Sequence, residues 1–178
     1  MGGGRTKAQE LAAFAGKLKT TIEKSFNREK GKVQWTTTVN LRVINDASEI
    51  GDCDHLFRIV DVTKHRSGGS ATVGGKVMDL AASSIRAPTP DQVDHSNPAN
   101  KNYTWEFYQS PEGIGAHEFG HSLGLRHNDT RKGLMRSGET QRWDDKTIEL
   151  EDIQAIERAY NAKKLNQPDD INALRKRR

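Results

Sequence analysis

The residues most capable of chemistry lie at positions 117–127, which read HEFGHSLGLRH. His117 and His121 are four residues apart, so on an α-helix their imidazoles project from the same face, a spacing that suits two ligands of one tetrahedral zinc ion. Glu118 follows the first histidine by one position, which directs its carboxylate beside such a metal rather than at it. In that place it can accept a proton from a water activated by zinc.

A third ligand requires the chain to change direction after this helix. Gly124 can adopt a positive φ, which ends the helix and lets the chain turn back to present His127. A single histidine is usually an ordinary surface or core side chain. Three at this spacing indicate instead a zinc site with His117, His121 and His127 as ligands and Glu118 as the catalytic base.

The same segment resembles the zinc-binding consensus of the metzincin metallopeptidases, which continues to a methionine-containing turn beneath the metal. Gly133-Leu134-Met135 fits that turn, and residues 151–160, EDIQAIERAY, resemble the helix that follows it in one metzincin group. That group is the matrixins, the matrix-metalloproteinase-like proteins. The resemblance covers about residues 110–160.

The resemblance implies an α+β, metzincin-like fold and a zinc-dependent endopeptidase. The fold would have a twisted mixed, mostly parallel sheet with an N-terminal helix, an active-site helix and a C-terminal helix. An extended protein or peptide substrate would pair with an exposed sheet edge and be hydrolysed by a zinc-activated water. Met135 would form an apolar floor beneath the histidines. A catalytically silent zinc-binding domain that recognises a partner through the same cleft is the alternative, and Glu118 argues against it.

Length and charge narrow the possible classes of protein. A chain of 178 residues suits one domain, so we expect a flexible N-terminus or cloning remnant at 1–6, a single catalytic domain at 7–166 and a basic tail at 167–178. The net charge of +4 comes from dispersed basic residues, so we expect no nucleic-acid partner. We expect a monomer.

The remaining composition bears on location. Cys53 is the only cysteine, which excludes an intrachain disulfide, and we expect it to be a small buried hydrophobic residue. The chain has neither a run of about 18 apolar residues nor a signal-peptide core at its start. We nevertheless expect a protein secreted or exported from the producing cell, either a secreted protease or a bacterial effector or toxin.

Hydrophobic periodicity predicts the elements that position the site. An apolar stripe predicts a helix over about residues 7–27, ended by Gly31. Alternation predicts strands at 33–43 and 103–107, and short apolar runs predict strands at 56–62 and 71–80. We expect a turn at 67–70 and a surface loop at 86–102. The active-site helix should start after an N-cap at Ser110, with Pro111 first, and run to about Leu123. A last helix should begin near Thr147 and bury four residues on one face: Leu150, Ile153, Ile156 and Tyr160.

Overall fold

A computed structural model shows an α+β fold in which helices pack against a small mixed sheet. It describes residues 7–30, 33–61, 63, 68–85, 111–130, 133–136 and 147–166. The predicted strand at 103–107, the loop at 86–102, the N-cap Ser110, and the proposed ends of the chain at 1–6 and 167–178 lie outside the described residues. No helix in the described part is long and apolar enough to cross a membrane.

The predicted N-terminal helix is confirmed as α1, Lys7–Phe26. Its apolar stripe, Phe14, Leu18, Ile22 and Phe26, is buried, because that face packs against the helix that carries the histidines. The helix ends before Gly31, the residue predicted to break it, since the chain is already a strand from Arg28.

The strand predicted at 33–43 is wrong for most of its length. Only Val33–Trp35 (β2) forms a ladder, antiparallel to Arg28–Lys30 (β1). Beyond it two backbone N–H groups donate to side chains in or just after α1 instead of to a neighbouring strand. Thr37 N–H donates to Oδ1 of Asn27, the residue that follows α1, at 2.6 Å, and Val39 N–H donates to Glu23 Oε1 of α1 at 2.9 Å. The alternation therefore indicates that one face of this segment packs on the core. The backbone N–H groups of such a segment can donate to side chains as well as to a neighbouring strand.

The central sheet has the order β3-β5-β4. Leu56–Val60 (β3) confirms the strand predicted at 56–62 as far as Val60, since Asp61 already lies outside it. The strand runs parallel to Val77–Ala81 (β5). Gly69–Ala71 (β4) runs antiparallel to β5. The single strand predicted at 71–80 is thus wrong, because a turn at Gly74, with φ of 79°, divides it into β4 and β5.

The three helices that the structure describes after β5 include the one that carries His117 and His121. After the short helix α2, Ala82–Ile85, the long helix α3, Pro111–Ser122, packs across β4, β5 and α1. The last helix, α4, is Leu150–Asn161 and begins at a capping box between Glu149 and Asp152. The two layers enclose one main core, which includes Leu18, Phe26, Leu80, Ala116, Met135, Ile148 and Ile153.

Two burial predictions are wrong. Tyr160 is 70% exposed although Ile153 and Ile156 are buried as expected, because the last turn of α4 extends beyond the core. Cys53 is exposed, since it lies in the turn before β3 and not in a strand.

Candidate metal centre

Helix α3 brings two of the histidines and the carboxylate into the protein interior. Pro111 is its first residue and Glu112 lies in its first turn, where a carboxylate stabilises the positive end of the helix dipole. His117, Glu118 and His121 are only 5%, 7% and 8% exposed. The predicted active-site helix is confirmed over its described residues.

The end of α3 is a Schellman motif centred on Gly124. Gly124 has a φ of 87°, its N–H donates to His121 O at 2.9 Å, and Leu125 N–H donates to Gly120 O at 3.0 Å. These bonds satisfy the last carbonyls of the helix and reverse the chain. The reversal returns His127 to the other two histidines, as predicted from Gly124.

The three imidazoles meet through their Nε2 atoms. His127 Nε2 lies 3.1 Å from His117 Nε2 and 3.1 Å from His121 Nε2. His117 Nδ1 lies 2.8 Å from Leu134 O, and His121 Nδ1 lies 2.8 Å from Leu125 O. Because a carbonyl oxygen only accepts, both Nδ1 atoms carry the proton, and both Nε2 atoms present lone pairs to the centre.

This donor set fits a zinc ion. Tetrahedral zinc with Zn–N bonds of about 2.0–2.1 Å places its ligand nitrogens about 3.3–3.4 Å apart, close to the separations between the imidazoles. Lone pairs brought this close repel one another unless a cation lies between them. Histidines whose second nitrogen donates to a carbonyl are also the usual form of zinc ligands.

The methionine turn lies directly beneath α3. Met135 is 2% exposed, and a Cβ at Gly120 would overlap its Sδ atom. The turn also holds the ligands: Leu134 O accepts from His117, and Met135 O accepts from Asn128 N–H at 2.8 Å, one residue after the third histidine. The methionine turn therefore packs under the helix that carries His117 and His121.

Comparison with known families agrees with this geometry. A sequence profile of the matrixins matches residues 15–161, most of the chain. The chain belongs to the matrixin family. No curated protein and no solved structure matched it in the same comparisons.

Membership of the matrixins makes this chain a zinc metallopeptidase with the three-histidine zinc site of the family. The match begins far upstream of the resemblance recognised at residues 110–160. The part of helix α1 from residue 15 onward and the sheet therefore belong to the same family domain.

The electrostatics of this matrixin site favour neutral ligands. Burial lowers the pKa of His117 to about 4, helped by the neighbouring His121, although the bond to Leu134 O acts in the opposite direction. Burial also lowers the pKa of His121, partly offset by its bond to Leu125 O. His117 is thus deprotonated, the form that binds metal, well below neutral pH, and burial shifts His121 in the same direction.

Glu118 responds to the same burial in the opposite sense. Burial, followed by the negative charge of Asp79, raises the pKa of Glu118 to about 8. Asp79 lies on β5 and is held by Arg58 of β3 through two bonds of 2.7 and 2.9 Å.

Sequence reasoning missed two residues near Glu118: Asp79 and Gly69. Gly69 was expected in a turn at 67–70, but it is buried at the start of β4 and its Cα faces Glu118. A glycine at the start of an apolar run was the available signal, since such a residue often marks a close approach.

Proposed function

We propose that this matrixin is an endopeptidase of extended protein segments in which Glu118 is the general base. The observation that carries the proposal is that His127 Nε2 lies 3.1 Å from the Nε2 atoms of both His117 and His121, at the end of the helix that also buries Glu118. We propose His117, His121 and His127 as the residues that hold the zinc.

Each group has a distinct role in the proposed reaction. Zinc, when bound, supplies positive charge that polarises a substrate carbonyl, acidifies a water and favours the ionised form of Glu118. The Glu118 carboxylate takes one proton from the attacking water. It then gives that proton to the departing amine nitrogen as the C–N bond breaks, which returns the carboxylate to its starting form.

The edge strand β4 suits the binding of an extended peptide. Among the described residues, β4 pairs with a strand only on its β5 side, and it lies against α3 beside Glu118. A peptide that added to its other side would place a backbone carbonyl near the histidines and its side chains in alternate directions.

The test is cleavage of a diverse peptide library by the purified chain, with and without a chelator, read by mass spectrometry. We expect cleavage that the chelator abolishes and zinc restores. The variant Glu118→Gln keeps the shape of the side chain and loses the base, so it should retain zinc while kcat/KM falls by about 10² or more. The variant His121→Ala should lose zinc itself.

Two results would contradict the proposal. Wild-type activity in Glu118→Gln would remove the carboxylate from the mechanism. Stoichiometric zinc with no cleavage of any peptide or unfolded protein would favour a silent zinc-binding domain that recognises a partner.

We also propose that the enzyme acts outside the producing cell, as matrixins typically do. A delivered effector with one host or competitor target is the narrower form of this proposal, and a strict preference at several subsites of the library would support it. Absence of the protein from the cell-free medium of its native organism, with a cytosolic marker as control, would count against export.

A further inference from the structure

Gly69, the first residue of β4, makes an unusually close contact with α3. A Cβ at this position would lie 2.6 Å from Ile114 Cγ2 and 2.7 Å from both Glu118 Cγ and Glu118 Oε1. Carbon atoms in van der Waals contact are about 3.5–4.0 Å apart. Any side chain at position 69 therefore requires Ile114 and Glu118 to move.

Backbone conformation does not explain this glycine. The described glycines with a positive φ are Gly74, Gly124 and Gly133, so Gly69 has a backbone that alanine can also adopt. Gly69 pairs in regular register with Leu80 of β5. The requirement at this position is therefore for space.

We propose that Gly69 is a positioning residue that keeps open the place in which the Glu118 carboxylate lies. The proposal rests on the general-base role proposed above. Ile114 is β-branched, with a stiff χ1, and packs against the core, whereas the Glu118 side chain has three rotatable bonds. A methyl group at position 69 would thus displace mainly the carboxylate.

The zinc ligands should be less affected by such a change. Their orientation depends on the carbonyls of Leu134 and Leu125, each 2.8 Å from an Nδ1 atom, and neither carbonyl lies on β4. Gly69→Ala should therefore separate base positioning from metal binding.

The kinetic test compares Gly69→Ala with Gly16→Ala, the same chemical change in α1 where no atom lies within 4 Å of the new Cβ. We expect kcat of Gly69→Ala to fall by about 10²-fold, the effect of a displacement of about 1 Å, with KM little changed and full zinc content. Gly16→Ala should keep the wild-type kcat. In a Glu118→Asp background, whose side chain is shorter, Gly69→Ala should have a much smaller effect. Wild-type kcat in Gly69→Ala would overturn the proposal.

A second test uses stability and needs no activity. In the zinc-free protein, Gly69→Ala should lower the urea midpoint, whereas in a Glu118→Ala background the same change should lower it much less or raise it. This cycle remains informative if Gly69→Ala alone does not fold, because Gly69→Ala/Glu118→Ala should then fold. An equal loss in both backgrounds would show that Gly69 makes no space for Glu118.

The two proposals fail in different ways. If Glu118→Gln is fully active, the general-base role is wrong. If Glu118→Gln is inactive while Gly69→Ala has the wild-type kcat, only the positioning role of Gly69 is wrong.

Discussion

Gly120 is the point at which the zinc-binding helix rests on the methionine turn, and its replacement by alanine tests how tightly the two are packed. The new Cβ would overlap Met135 Sδ and lie 3.1 Å from Met135 Cε and 3.7 Å from Leu125 Cδ1. Met135 is 2% exposed, so its side chain cannot move into solvent. We therefore expect Gly120→Ala to be destabilising, although alanine favours helices.

The size of the effect follows from two opposing contributions. Alanine gains about 1 kcal/mol over glycine within an exposed helix, and overpacking a core costs about 1–3 kcal/mol. Gly16→Ala measures the first contribution alone, since Gly16 is exposed in α1 with nothing within 4 Å of its new Cβ. The free energies of unfolding of the two variants should differ by about 1–3 kcal/mol, with Gly120→Ala the less stable.

The assay is urea denaturation of the zinc-free proteins, extended to a double-mutant cycle. In a Met135→Ala background the overlap is removed, so Gly120→Ala should stabilise the protein by about as much as Gly16→Ala does. The cavity left by Met135→Ala is present in both arms and cancels. Zinc affinity should fall about 10-fold in Gly120→Ala, because the displaced turn also holds His117. If Gly120→Ala is as stabilising as Gly16→Ala, or the cycle shows no coupling, the packing argument is refuted.

Three further outcomes follow from the site and its packing. Between pH 6.5 and 8 the unfolded chain has Glu118 ionised, while in the folded zinc-free protein a pKa near 8 keeps the proton on Glu118. The contribution of Glu118 to stability is therefore lost as pH rises, whereas the buried histidines, whose pKa values are lowered, act in the opposite direction in wild type and Glu118→Gln alike. The urea midpoint of the wild type should therefore fall relative to that of Glu118→Gln as pH rises, and parallel curves would contradict this. Gly115→Ala should destabilise the protein because its Cβ would overlap Leu18 Cδ1, and Leu18→Ala should relieve that added loss in a double-mutant cycle. Light scattering should give a mass near 19.9 kDa if the chain is a monomer, and twice that value would exclude it.

The metal site could be predicted from the sequence because its determinants are local. The i, i+4 spacing of two histidines and the glycine at the helix end act within about three turns of chain, and the structure confirms both. The apolar stripe of α1 was predictable for the same reason.

The sheet was less predictable because its determinants are remote in sequence. Alternation at 33–43 indicates which side chains face the core, but the backbone N–H groups of Thr37 and Val39 donate to side chains in or just after α1. The window at 71–80 contains a glycine turn whose two sides pair with each other, which periodicity alone does not distinguish from one strand. The role of Gly69 depends on α3, far along the chain, so its sequence context resembled an ordinary turn.

The methionine turn links two zinc ligands that lie on different stretches of backbone. Consecutive carbonyls, Leu134 O and Met135 O, receive hydrogen bonds from His117 and from the amide that follows His127. A shift of this short loop would therefore change both rings together, and the geometry of the metal pocket has fewer independent degrees of freedom than three separate side chains would give it. Substitutions at residues that pack around this loop would therefore alter the metal site even when those residues do not contact the ion.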